Sequence, residues 1–98
     1  MRIPENDIQK ILDNAPIVDV ISKYVSLHRR GQNYFGCCPF HNEKTPSFVV
    51  SEQKQIFTCF GCGASGDAIE FTKRYYNLEF QEAVEKLAAE NGLSISLH

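Results

Sequence analysis

No apolar stretch in this 98-residue chain approaches the roughly 18 residues that would cross a bilayer. The first ten residues, MRIPENDIQK, carry charges where a signal peptide needs its apolar stretch, so the expected compartment is the cytoplasm and no membrane is expected as a partner. The length excludes a second independent domain. No internal repeat and no low-complexity segment is present, and the chain stops without a tail, as a piece of a longer protein would. A Gly-rich phosphate loop is missing, because GCGASGD has the wrong residues and lacks the P-loop lysine. So is an acidic cluster suited to two-metal phosphoryl transfer. The segment is therefore expected to be catalytically inactive on its own. An excess of positive charge is missing too: the net charge of −2 and pI of about 5.9 speak against a dedicated polyanion binder.

What is present is unevenly placed. Residues 1–24 hold three basic and four acidic side chains, and residues 66–98 hold three and six. Residues 25–65 hold four basic groups (Arg29, Arg30, Lys44, Lys54) against two acidic ones (Glu43, Glu52), and also all four cysteines. Helical spacing of Ile8, Ile11 and Leu12 after Pro4 predicts a first helix. Asn14 is expected to cap a second, which starts near Pro16 and carries Ile17, Val18, Val20, Ile21 and Tyr24. Val25 and Leu27 alternate as a strand would, Gly31 marks a turn, and Tyr34-Phe35 begins another strand. Ser47–Val50 and Gln55–Thr58 read as a hairpin about a polar turn, and GCGASGD as a tight loop. Asp67 suits the cap of a helix that Asn77 breaks, and a last helix ends at Asn91-Gly92. In that helix Glu82 and Lys86 form an i,i+4 pair, and Leu93–Leu97 alternates like an edge strand.

Cys38-Pro-Phe-His41 and Cys59-Phe-Gly-Cys62 are two pairs, each with two residues between ligands. Seventeen residues separate them. Two-residue spacing lets both side chains of a pair converge on one ion from a tight turn, and the intervening hairpin brings the pairs together. The result is a closed Cys₃His site holding one structural Zn²⁺. Thiolate and imidazole favour zinc over calcium or magnesium. The metal would contribute roughly 10–16 kcal/mol, more than the roughly 5–15 kcal/mol typical of a whole domain, so the ribbon is expected to lose its fold without it. Cys37 has three residues between it and His41 rather than two, and is read as a small buried apolar group. A redox Cys59-x-x-Cys62 pair would need a strand-to-helix turn in a βαβ setting and would leave His41 unexplained.

The fold expected is α+β: a zinc ribbon over 25–66, with a small antiparallel sheet, flanked by a helical N-terminus over 4–24 and C-terminal helices over 67–92, all one domain spanning 1–98. Lys44 and Lys54 lie near Tyr34, Phe35, Phe48 and Phe57, with Arg29 and Arg30 at a turn. Cations beside aromatic rings suit single-stranded nucleic acid. The same residues suit a core and a solvated hairpin in a module that docks on protein.

Arg2-Ile-Pro4, Ile17-Val-Asp-Val20, Asn33-Tyr-Phe35, the run CPFHNEKTPSF from Cys38 to Phe48, Lys54-Gln55 and Cys59-Phe-Gly-Cys-Gly63 together resemble the N-terminal zinc-binding domain of bacterial DNA primases, the CHC2 zinc finger. The likeness extends from Arg2 to about Leu93. It implies the same four metal ligands, and template contacts at Lys44, Pro46 and Lys54. It also implies an enzyme that, at full length, makes short RNA primers on single-stranded DNA at the bacterial replication fork. In that family the zinc domain helps select the initiation site, serving a polymerase domain of its own or a neighbouring molecule. That Mg²⁺-dependent polymerase domain and a helicase-binding domain are absent from this chain. Gln32 stands where the family commonly carries Arg or Lys, which removes one charge from the basic face. The other reading that the resemblance leaves is a structural zinc module that docks on the polymerase domain and regulates primer length without base contacts. A relative carried by a phage or mobile element, with altered partners, is a third.

Overall fold

Helix α1 (Glu5–Asn14) places Glu5 and Asp7 at its electropositive end. It buries Ile11 with Ile8 and Leu12 packed beside it. The structure, a computed structural model, describes residues 5–40 and 46–92; the positions expected at Pro4 and Leu93–Leu97 lie outside them. Helix α2 (Ile17–Ser22) buries Ile17, Val18, Val20 and Ile21. Asn14 does not cap it. Its side-chain amide donates to the Lys10 carbonyl at 2.8 Å and so closes α1, while Pro16 takes the cap position of α2 without a side-chain hydrogen bond.

Among the described residues five strands follow in antiparallel sequence order: β1 (His28–Arg30), β2 (Asn33–Gly36), β3 (Phe48–Ser51), β4 (Ile56–Cys59) and β5 (Ser65–Gly66). Val25 and Leu27 are not in the sheet. The Val25 N–H is bonded to the Ile21 carbonyl at 2.9 Å, which extends the end of α2. GCGASGD is more than a loop, since Ser65 and Gly66 pair with Thr58 and Phe57.

Helix α3 (Ala68–Tyr76) begins at Asp67, whose carboxylate accepts the Glu70 N–H at 2.9 Å. It ends at Asn77 in the left-handed conformation. Helix α4 (Phe80–Glu90) opens with a capping box between Glu79 and Glu82. That use of Glu82 overturns the expected Glu82–Lys86 pair: Lys86 instead approaches Glu90 at 4.0 Å and lies 4.3 Å from the Tyr76 ring centroid.

One face of the sheet meets the helices. Helix α3 packs on β4 and β5, α2 on β3 and α3, and α1 on α4. Between them lie Phe48, Phe57 and Phe71, all fully buried, with Phe40 against all three. Ring centroids are 5.5–6.3 Å apart in mostly tilted or edge-on arrangements, the geometry that aromatic quadrupoles favour. Removing one such ring costs about 3–5 kcal/mol, so this cluster anchors the sheet on the helices.

Candidate metal centre and the adjoining sheet face

Strand pairing builds the metal centre. Cys59, the last residue of β4, lies opposite Phe48, which lies opposite Gly36 at the end of β2. Strands sit about 4.8 Å apart, so the chain leaving Gly36 is two strand spacings from Cys59, and Cys38 closes that gap. Gly36 is required by close approach: a Cβ there would sit 2.7 Å from the Ser26 carbonyl oxygen. Past Cys59 the chain turns back sharply. The Gly63 N–H donates to the Cys59 carbonyl at 2.8 Å with Gly63 at φ +81°, a conformation glycine adopts readily. This returns Cys62 to the site.

The sulfurs of Cys38, Cys59 and Cys62 all lie within 4.8 Å of one another, with Cys38 and Cys62 at 3.9 Å. A tetrahedral zinc with Zn–S bonds of about 2.3 Å places its sulfurs about 3.8 Å apart, so the cluster fits the ion in spacing and in donor softness. The Ser47 hydroxyl lies within hydrogen-bonding reach of the Cys59 sulfur at 3.9 Å, a contact that would orient this sulfur toward a bound ion. Burial pushes the Cys38 thiol up to about 12, the neighbouring thiols act in the same direction, and the hydrogen bond to the Phe40 backbone opposes them. A bound cation reverses that balance by favouring the thiolate. His41, expected as the fourth ligand, lies outside the described residues. Cys37 is exposed, which corrects the expectation of a buried apolar group. Regular alternation stops at Gly36, and the residue that turns inward is Cys38.

Sheet register also sorts the expected nucleic-acid residues by face. Tyr34, Val50 and Phe57 occur together on the helix-covered side, and Arg29, opposite Tyr34, lies 6.0 Å from its ring centroid. Arg30, Asn33, Ser51 and Ile56 share the other side, as do His28, Phe35, Val49 and Thr58. Phe48 and Phe57 are completely buried, so they pack the core and offer no ring to a base. The aromatic signal that singled them out was a core signal. Lys54 is exposed on the β3–β4 turn and lines a groove of about 320 Å³ along the open side with Asn33, Thr58 and Phe60. Pro46 is exposed and lines a separate hollow beside Cys37 and Pro39. Lys44 is outside the described residues. Asn33, Thr58, Ile56 and Phe60 were missed as surface residues. The parity of β2 and β4 relative to the buried Phe48–Cys59 row is the signal that identifies them.

Comparison with known proteins agrees with this architecture. The family model described as CHC2 zinc finger matches residues 3–98. A DNA primase of Geobacillus stearothermophilus is 55% identical over 97 residues, covering 99% of this chain and 16% of that protein. The DNA primase of Salmonella typhimurium is 54% identical over 94 residues, covering 96% of the chain and again 16% of the relative. Among solved structures, the Aquifex aeolicus primase (zinc-binding and RNA polymerase domains) superposes with a TM-score of 0.85 at 48% identity, covering 94% of this chain and 22% of that one. The chain thus spans about one sixth of the length of the curated relatives it matches.

Proposed function

The chain belongs to the CHC2 zinc-finger family of DNA primases, and from that premise we propose that it positions single-stranded DNA template for primer initiation. One structural Zn²⁺ is held by Cys38, Cys59 and Cys62 together with His41. The ion ties the ends of β2 and β4 into one rigid edge, and the open side of the sheet carries the template. The full-length protein is a primase whose RNA polymerase domain, using Mg²⁺, performs nucleotidyl transfer on the template presented here. A replicative helicase would be engaged through a further domain. The protein acts at the bacterial replication fork, and no helix among the described residues is long and apolar enough to cross a membrane.

The observation that supports this reading is the composition of the open side. Arg30 and Lys54 supply cations, Asn33 and Thr58 supply hydrogen-bonding groups, and among the described residues no carboxylate lines the groove. Phosphate contacts of this kind position a strand, while base contacts select its sequence. The zinc site itself works against affinity, since three thiolates and one Zn²⁺ leave a net charge of −1. Binding is therefore weak and salt-sensitive.

A second reading, docking on the polymerase domain without base contacts, draws on the exposed side chains of Tyr75, Tyr76 and Phe80 at the α3–α4 corner. Chemical-shift mapping with single-stranded DNA, on zinc-loaded protein, separates the two. Shifts at Arg30, Asn33, Lys54 and Thr58 are expected. Shifts confined to the α3–α4 corner, or none at all, would overturn template binding by the sheet.

A further inference from the structure

Phe60 is the most exposed large apolar side chain among the described residues, at 75% of its full accessibility. A domain that buries Phe48, Phe57 and Phe71 completely leaves this ring in water, although burial of an aromatic side chain is strongly favoured. Its backbone is nevertheless held firmly. The Phe60 N–H donates to the Ser47 carbonyl at 3.0 Å, and the turn that carries it is closed by the Gly63 N–H to Cys59 bond at 2.8 Å. Phe60 also stands between Cys59 and Cys62, so the metal turn fixes its position. The backbone that carries the ring is thus fixed on the surface.

Its surroundings indicate what it meets. Phe60 lines the groove of about 320 Å³ on the open side of the sheet, together with Asn33, Thr58, Ile56 and Lys54. Among the described residues, Lys54 is the one charged residue of that lining. An aromatic face, hydroxyl and amide groups at its edge, and a cation along the rim match the parts of an unpaired nucleotide: base face, base edge and phosphate. An apolar peptide would leave the polar groups of Asn33 and Thr58 unmatched.

We propose that Phe60 is a base-stacking platform, on which one unpaired template base lies while Lys54 meets the adjoining phosphate. The proposal rests on the reading of the open sheet side as the template surface. It adds that the metal site and the template site are joined through a single residue, so that loss of zinc removes the platform as well as the fold of the knuckle.

The test measures binding of a short dye-labelled single-stranded DNA to the zinc-loaded chain over a range of salt, alongside an abasic strand of equal length. Phe60→Ala is expected to weaken binding about 5- to 150-fold, the range for one stacked base, with zinc content and salt slope unchanged. Phe60→Tyr restores affinity. Wild type and Phe60→Ala bind the abasic strand equally. The chain contains no tryptophan, so Phe60→Trp supplies a lone reporter whose fluorescence is quenched by DNA and not by the abasic strand. If Phe60→Ala binds DNA like wild type while Arg30→Ala and Lys54→Ala weaken it, the platform is wrong and the template surface stands. If those charge variants also bind normally, both readings fall.

Discussion

The side-chain carbonyl of Gln55 accepts a 2.9 Å hydrogen bond from the backbone N–H of Ile17, 38 residues earlier in the chain. The first amides of a helix have no partner within it, and Pro16 brings none to α2. The β3–β4 turn supplies the missing acceptor and thereby ties the hairpin to the N-terminal helices. Gln55 holds this position at φ +56°, with its amide nitrogen donating to the Glu52 carbonyl at 2.6 Å.

Two substitutions at Gln55 separate the hydrogen bond from the backbone strain. Gln55→Ala loses the bond and keeps a left-handed conformation that costs an L-residue about 1–2 kcal/mol, so stability falls by about 1–2 kcal/mol. Gln55→Gly loses the same bond but relieves the strain, and should lie within about 1 kcal/mol of wild type. Urea denaturation of the zinc-loaded protein measures both. Equal losses in the two variants would show that the hydrogen bond, and not the backbone, sets the cost.

Two glycines near the metal should respond differently to alanine. At Gly36 the added methyl meets the Ser26 carbonyl at 2.7 Å, and backbone cannot yield as a side chain can. Gly36→Ala should cost about 1–3 kcal/mol and, because Cys38 follows two residues on, should also lower zinc affinity. Among the described residues nothing lies within 4 Å of a Cβ added at Gly63, so Gly63→Ala is expected to carry mainly the penalty of its positive φ, about 1–2 kcal/mol. Competition with a zinc indicator and thermal melts, run on the same samples, distinguish the pair.

Zinc retention is expected to follow the sulfur cluster. Cys38→Ser, Cys59→Ser and Cys62→Ser should each lose the metal, and Cys37→Ser should keep one zinc per chain, as read by elemental analysis. Chelation should collapse the ribbon. The pH dependence has a definite sign. In the metal-free site Cys38 is raised to about 12, chiefly by burial, so at neutral pH this thiol is protonated and zinc must displace the proton. Zinc affinity therefore increases with pH. Between pH 6 and 8 it should rise by about tenfold per pH unit from Cys38 alone. Titration calorimetry in buffers of different ionisation enthalpy counts the released protons, and a flat profile would contradict the assignment of Cys38 as a ligand.

Spacing made much of this molecule legible. The two-residue gap between Cys59 and Cys62, the polar turn after Ser51 and the Asp67 cap are local signals, and the structure carries each of them; the matching gap from Cys38 ends at His41, outside the described residues. What the sequence left ambiguous depends on partners distant along the chain. Asn14 has the chemistry of a cap, but its amide had a nearer carbonyl at Lys10. Phe48 and Phe57 belong to a basic, aromatic segment, and only the register of β3 with β4 shows that both point into the core. Cys37 and Cys38 are chemically identical neighbours, and the end of β2 at Gly36 decides which one is buried. The fifth strand is two residues long and leaves almost no pattern to read.

Arg29 and Arg30 show the same limit and permit a sharp test. In the sequence they are an undivided basic pair. In the sheet Arg29 stands opposite Tyr34 on the helix-covered side, 6.0 Å from its ring centroid, with its Nε donating to the Gly31 carbonyl at 3.1 Å. Arg30 stands opposite Asn33 on the open side. If template lies on the open side, Arg30→Ala should weaken single-stranded DNA binding and reduce the slope of log K against log salt by about 0.7, the share of one phosphate contact on a single strand. Arg29→Ala should leave that slope unchanged and cost at most about 1 kcal/mol of stability through the lost contact with Tyr34. Anisotropy titrations at several salt concentrations measure both slopes. Equal slope changes for the two arginines would mean that the strand wraps the β1–β2 edge and does not lie on one face. A change at Arg29 alone would move the template to the helix-covered side.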